Sequence, residues 1–190
     1  MIISKEVNRM NFEFKVNVND QDYLEYNVFW MIRSPYGKKQ LKDMRIMMTV
    51  LVGLLIFVSL FSSKFSAESF LGIIPMLLVL FLAQIFLTKC FAWSLKWMVR
   101  ALKKSGKMGY SPESVIAFSD DYFVETTPEN KTENKYSVIE RVSIVDNKMI
   151  YIHINNVMAY ILPLSCFESK EQYDTFLDFL KTKCAHIDRY

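Results

Sequence analysis

Two long stretches without a charged residue limit what this 190-residue chain can fold into. Residues 46–63 form an uncharged run of 18 side chains, and residues 69–88 form a run of 20. A bilayer core of about 30 Å is crossed by roughly 20 apolar residues in an α-helix, with a range of about 17–25. The two runs therefore predict two transmembrane helices joined by a short loop at 64–68. A pair of buried helices in a soluble core is the alternative.

Basic residues on either side of the two runs predict the orientation in the membrane. Residues 33–45 contain five Lys or Arg and residues 89–107 contain six, whereas the loop contains one. Lys and Arg near the ends of membrane spans are retained on the cytoplasmic side. We therefore expect a two-span protein of the cell membrane with both termini in the cytoplasm. The three cysteines are far apart and odd in number, which suits free thiols in a reducing compartment.

The cytoplasmic segment 1–45 is predicted to form a strand and a helix before the first span. Apolar and polar side chains alternate over residues 12–18, a pattern typical of a half-buried strand. A helix rich in aromatic residues is predicted over residues 20–33. It should end at Ser34-Pro35, because the residue before a proline avoids the helical conformation.

The second span is predicted to continue as a basic helix over residues 89–107, since residues 90–104 contain no Gly or Pro. Trp93 and Trp97 are predicted anchors at the membrane interface. The candidate contacts to anionic lipid head groups are Lys38, Lys39, Lys96, Arg100, Lys103, Lys104 and Lys107. Each such side chain contributes about 1 kcal/mol near an anionic leaflet. Alternatively, the basic residues only fix the orientation. Gln84 is a candidate contact to the other span or to a second protomer.

Residues 108–190 predict a small antiparallel β-domain with a closing helix. Short strands are predicted at 115–118, 122–126, 134–136, 141–146, 149–155 and 157–162. Ser169 and Gln172 are spaced as in a capping box, which predicts a C-terminal amphipathic helix that covers one end of the sheet.

The sequence contains no recognisable catalytic or cofactor motif. A metal site needs three or four converging ligands, and His153, His186 and the scattered cysteines have no such spacing. Cys166 lacks any local feature that would lower its pKa, so it is not expected to be a nucleophile. Asp120-Asp121 is interpreted as a turn between two strands. We expect no catalytic residue, no metal, no cofactor, no enzyme activity and no nucleic-acid partner.

The chain resembles the YcxB-like family of bacterial membrane proteins over about residues 12–184. The matching segments are the aromatic residues 22–30, Ser34-Pro35-Tyr36-Gly37-Lys38-Lys39, and residues 116–121, 136–142 and 161–169. The C-terminal part also resembles bacterial pleckstrin-homology-like domains, which have seven strands and a capping helix. These resemblances imply no functional residue, because no reaction is assigned to the family.

Together these features predict an α+β membrane protein. A two-helix transmembrane hairpin would be inserted into a small cytoplasmic antiparallel β-domain of about seven strands, with residues 12–18 as the seventh strand. The leading functional hypothesis is a membrane-anchored binding or scaffold module that presents its β-domain to a protein or lipid partner. A small membrane enzyme or regulator acting on lipid or envelope precursors is one alternative. An accessory subunit of a transporter or channel is another. The expected partners are a bilayer with anionic head groups and either a protein partner or a second copy of the chain.

Overall fold

The computed structural model describes residues 11–62, 66–106, 110–155 and 158–190. The chain divides into two compact units. The first, called the β-unit, consists of the described residues up to Tyr26 and from Ser105 onward. The second, called the helical unit, is Asn27–Lys104. The protein is therefore α+β, with two long apolar helices and two four-stranded sheets.

The elements begin with a strand, a short helix and the two long helices, and continue with seven strands and one further helix. In chain order they are β1 Phe12–Asn17, α1 Asp20–Val28, a π-helical turn Phe29–Arg33, α2 Pro35–Ser62, α3 Ala67–Ser105, β2 Glu113–Phe118, β3 Tyr122–Thr126, β4 Lys131–Lys135, β5 Arg141–Val145, β6 Met149–His153, β7 Ala159–Pro163, α4 Lys170–Lys183 and β8 Ile187–Arg189. Short 3-10 turns follow β4 and β7.

The first sheet has the order β1-β2-β3-β4 and is antiparallel throughout. Phe12 lies opposite Phe118, and Asn17 lies opposite Glu113. The prediction that the N-terminal strand joins the C-terminal β-domain is confirmed. Both long helices lie between these two paired strands in the sequence, so the β-unit is discontinuous along the chain.

The second sheet has the order β7-β6-β5-β8, and β8 lies parallel to β5. The predicted count of about seven strands is therefore corrected to eight among the described residues. β4 also lies at 131–135 rather than 134–136, because it is a polar edge strand with no apolar alternation to fix its limits. A tight turn follows β5: Asp146 and Asn147 have φ values of 50° and 49°, as in a type I′ hairpin.

The core of the β-unit is aromatic. Phe14 of β1 contacts Phe118 and Phe176, with ring centroids 6.0 and 4.8 Å apart. Phe176, Leu177 and Leu180 of α4 are all buried, which confirms an amphipathic C-terminal helix. That helix starts as the capping-box spacing predicts, since Ser169 Oγ accepts a hydrogen bond from the Gln172 backbone N–H at 3.1 Å.

In the helical unit, α2 begins at Pro35, eleven residues before the predicted span. The sequence interpretation treated Ser34-Pro35 as a helix end only. It is also a helix start, because proline is favoured at the first helical position and serine at the N-cap. The second long helix, α3, is continuous from Ala67 to Ser105 and ends before Gly106, whose φ is +69°.

Candidate functional site

The basic residues of α3 lie on an exposed face near its C-terminal end. Lys96, Arg100, Lys103 and Lys104 are exposed, and the side chains of Trp93 and Trp97 are 70% and 66% exposed. At 3.6 residues per turn these six side chains lie on one side of the helix, called the basic stripe below. Leu95 and Val99, on the opposite side, are buried. Lys107 lies outside the described residues.

Two further basic candidates lie at the start of α2. Lys38 and Lys39 are exposed and fall where the first turn of the helix ends. The helix macrodipole disfavours cations at a helix N-terminus, and the first turn of α2 contains no acidic residue to compensate. The helix macrodipole therefore gives these two lysines no local stabilisation.

Gln84 lies between the two long helices of the helical unit. Its Nε2 donates to the backbone oxygen of Arg45 and to Thr49 Oγ1, both at 3.1 Å. The Arg45 guanidinium donates in turn to Thr88 Oγ1 at 3.3 Å. This polar cluster joins α2 to α3 within one chain.

The segment Ser34-Pro35-Tyr36-Gly37 builds a tight junction between the π-helical turn and α2. Ser34 is fully buried, and its Oγ accepts from the Gly37 backbone N–H at 3.0 Å while donating to the Trp30 carbonyl oxygen. A Cβ at Gly37 would collide with the carbonyl oxygens of Trp30 and Met31. Glycine is required here because two backbone segments meet, a role that the sequence interpretation missed.

The β-unit contains a cleft between its two sheets, with a volume of about 300 Å³. Its lining includes Glu125 and Thr132 from the first sheet and Tyr160 from the second. Burial raises the pKa of Glu125 above its usual range. Burial, together with the nearby Glu125, also raises the pKa of Tyr160, whose hydroxyl accepts from Asn134 Nδ2 at 2.9 Å. The sequence signal that marks this site is a charged residue, Glu125, at a position of β3 that faces the second sheet. That position can be recognised only when the strand register is known.

His153 and Cys166, which the sequence analysis considered for metal binding or nucleophilic chemistry, are separate in the fold. His153 is fully buried, with Nε2 3.2 Å from Ser143 Oγ, and burial together with Arg141 lowers its pKa to about 4. Burial raises the pKa of Cys166 to about 12, so it is a thiol at neutral pH. Among the described residues no group of His, Cys, Asp or Glu side chains is arranged to hold a metal ion.

Residues 118–180 match the model of the family described as YcxB-like protein. This region is YcxB-like. The family resemblance inferred from the sequence is thereby confirmed for residues 118–180, and its extension toward residue 12 stays a prediction. The YcxB-like region extends from the end of β2 to Leu180 of α4, and it contains Glu125 and Tyr160 but not β1 or the long helices. No curated protein and no solved structure matches the chain.

Proposed function

We propose that the chain is a membrane-anchored binding module in which α2 and α3 cross a bilayer and the β-unit engages a partner. The observation that carries this proposal is the exposure of the long helices. The most apolar 18-residue stretch of each has a mean hydropathy of 2.3 and 2.4, and none of it is buried. Exposed apolar surface on this scale needs an apolar environment. A bilayer core supplies one, and its thickness matches the uncharged runs 46–63 and 69–88 within these helices.

The charge distribution supports an orientation with both termini in the cytoplasm of a bacterial cell. The eleven basic residues of 33–45 and 89–107 would then lie at the cytoplasmic face, and the single Lys64 outside. Trp93 and Trp97 would lie at the depth of the lipid head groups, where amphipathic rings are favoured. The basic stripe would contact anionic lipids of the same leaflet.

The strand order of the β-unit supports a pleckstrin-homology-like interpretation. Strands β1–β4 form a four-stranded meander, β5–β7 form a three-stranded meander, and α4 follows. Strand β8 would be an addition at the free edge of β5. Many domains of this architecture bind proteins or lipids, so the analogy favours a binding module, although a fold alone does not define a function.

The orientation is tested with reporter fusions. A reporter that is active only in the cytoplasm should be silent when fused at Ser66 and active when fused at Tyr190. The chain should also be extracted from membranes by detergent but not by alkaline carbonate. Activity at Ser66, or release by carbonate, would contradict the anchoring part of the proposal.

The lipid contact is tested by the quenching of Trp93 and Trp97 by brominated lipids. The Trp30→Phe chain, reconstituted in bilayers, should be quenched several-fold more effectively by brominated phosphatidylglycerol than by brominated phosphatidylcholine. Replacing the basic residues of the stripe by Gln (K96Q, R100Q, K103Q and K104Q together) should abolish the preference.

A matched control removes the same number of positive charges from exposed positions of the β-unit. Its substitutions are K131Q, K135Q, K148Q and K170Q. The control should keep the preference, since each charge contributes about 1 kcal/mol only when it is close to the anionic surface. An equal loss in both variants would show a net-charge effect and would contradict a specific role for the stripe.

A further inference from the structure

The inter-sheet cleft contains a carboxylate on a face of the sheet that is otherwise part of the core. In the first sheet Phe14, Ile116, Glu125 and Thr132 form one row of cross-strand partners. Partners in such a row project from the same face of a sheet. Phe14 and Ile116 are each only 1% exposed, so this is the inner face. Glu125 therefore projects toward the second sheet, where an apolar residue would be expected.

The Glu125 carboxylate has no compensating partner among the described residues. Burial is the sole cause of its raised pKa, with no cation or hydrogen-bond donor to offset it. Glu125 is half-buried, and a carboxylate that is partly removed from water without a partner is destabilising, since its charged form loses solvation. Positions at which a chain departs from the local rules of a stable core are expected to be functional sites.

The other residues that line the cleft indicate which kind of ligand it could bind. Ile116, Ile154, Met158 and Ile161 supply apolar surface, and Ser114, Thr127 and Thr132 supply hydroxyl groups. Glu125 is the one charged residue among the lining residues. The volume of about 300 Å³ is at the lower end of the range for ligand sites, which suits a single side chain rather than a large cofactor.

We propose that the inter-sheet cleft binds a Lys or Arg side chain presented by a protein partner, with the cationic group on the Glu125 carboxylate and the alkyl stem on the apolar wall. Residues 108–190 contain thirteen acidic and eight basic residues, so the surrounding charge also favours a basic partner. This inference rests on the proposed binding function and specifies its partner, but it uses none of the residues of the basic stripe.

The test uses Met158, which lines the cleft and is 57% exposed, as the reporter. The full chain is labelled with ¹³C-methyl methionine in detergent, and the Met158 signal is assigned with Met158→Leu. The probes are the N-acetyl methylamides of lysine, arginine and norleucine. At pH 7.5 at least one of the basic probes should shift the Met158 signal saturably, and norleucine should bind at least ten-fold more weakly.

Glu125→Gln should weaken binding of the basic probe at least ten-fold, whereas Glu133→Gln should leave it unchanged. Glu133 is the matched control, because it is an exposed carboxylate on the adjacent strand β4. Its cross-strand partner is Val124, so its side chain projects from the opposite face. Thermal melting of both variants without a probe checks that each remains folded.

Several outcomes would overturn the proposal. Equal binding of norleucine would show a purely apolar cleft, and undiminished binding to Glu125→Gln would remove the carboxylate from the site. Tighter binding of phosphoethanolamine than of either basic probe would identify a lipid head group as the occupant instead. The absence of any saturable shift with both basic probes would also refute it. Each of these results leaves the fusion and quenching tests of membrane anchoring unaffected.

Discussion

The junction between the π-helical turn and α2 provides a test in which one substitution has opposite effects at two positions of the same helix. Gly37 is buried, and a methyl group there would meet the carbonyl oxygens of Trp30 and Met31. At Gly53, also in α2, nothing lies within 4 Å of the added Cβ among the described residues. Gly37→Ala and Gly53→Ala therefore place the same methyl group in a crowded and in an open environment.

The magnitudes follow from two opposing effects. Alanine is favoured over glycine in a helix interior by about 1 kcal/mol, which applies at Gly53 but less at Gly37, in the first turn of α2. Overpacking costs about 1–3 kcal/mol, and the upper part of that range applies at Gly37 because backbone atoms cannot rotate away as a side chain would. We expect Gly53→Ala to stabilise the helical unit by about 1 kcal/mol and Gly37→Ala to destabilise it by about 2 kcal/mol.

The assay uses the fluorescence of Trp30, whose ring lies 5.1 Å from that of Tyr36, next to Gly37. With Trp93 and Trp97 replaced by Phe, Trp30 is the one tryptophan left of three. Titration of the purified chain with SDS in mild-detergent micelles should unfold the Gly37 variant first and the Gly53 variant last. A difference of about 3 kcal/mol corresponds to more than a hundred-fold change in the unfolding equilibrium. Equal stability of the two variants, or the reverse order, would refute the close contact at Gly37.

Three further predictions concern the polar cluster, the buried histidine and the first strand. Gln84→Leu removes both hydrogen bonds of the Gln84 amide to α2 and should destabilise the helical unit by about 0.6–2 kcal/mol. The same SDS titration measures this change, and an unchanged midpoint would contradict the prediction. His153 has a pKa of about 4 when folded and 6.5 when unfolded, so below pH 6.5 the unfolded chain binds a proton that the folded chain does not. The free energy of unfolding should therefore be unaffected by His153 above about pH 6.5 and should fall by roughly 3 kcal/mol toward pH 4. Urea denaturation across this range should therefore show a steeper loss of stability in the native chain than in His153→Gln, and parallel curves would exclude the histidine as the cause. Phe14→Ala should cost the β-unit about 3–5 kcal/mol, because Phe14 is 1% exposed and packs on Phe118 of β2. Hydrogen exchange of the β2 amides should accelerate accordingly, and unchanged protection would show that β1 does not contribute to this sheet.

Features specified by local chemistry were predictable from the sequence. The period-two alternation placed β1 to within a residue, and the boundaries of β3 were predicted without error. The cap of α4 and the turn at Asp146-Asn147 were also predictable, because capping and left-handed turn residues act over a few positions. The start of α2 was missed because Ser34-Pro35 can either end or begin a helix, and both occur at this junction.

The sequence by itself determined that the chain has two long apolar helices and a β-rich C-terminal region, since run length and periodicity depend on neighbouring residues alone. Only the tertiary structure decided which strands pair. Strand β1 joins β2 across both long helices, and β8, with a single apolar residue, is defined by backbone hydrogen bonding to β5. The inward position of Glu125 likewise depends on strand register, because a shift of one residue would turn its side chain to the opposite face of the sheet.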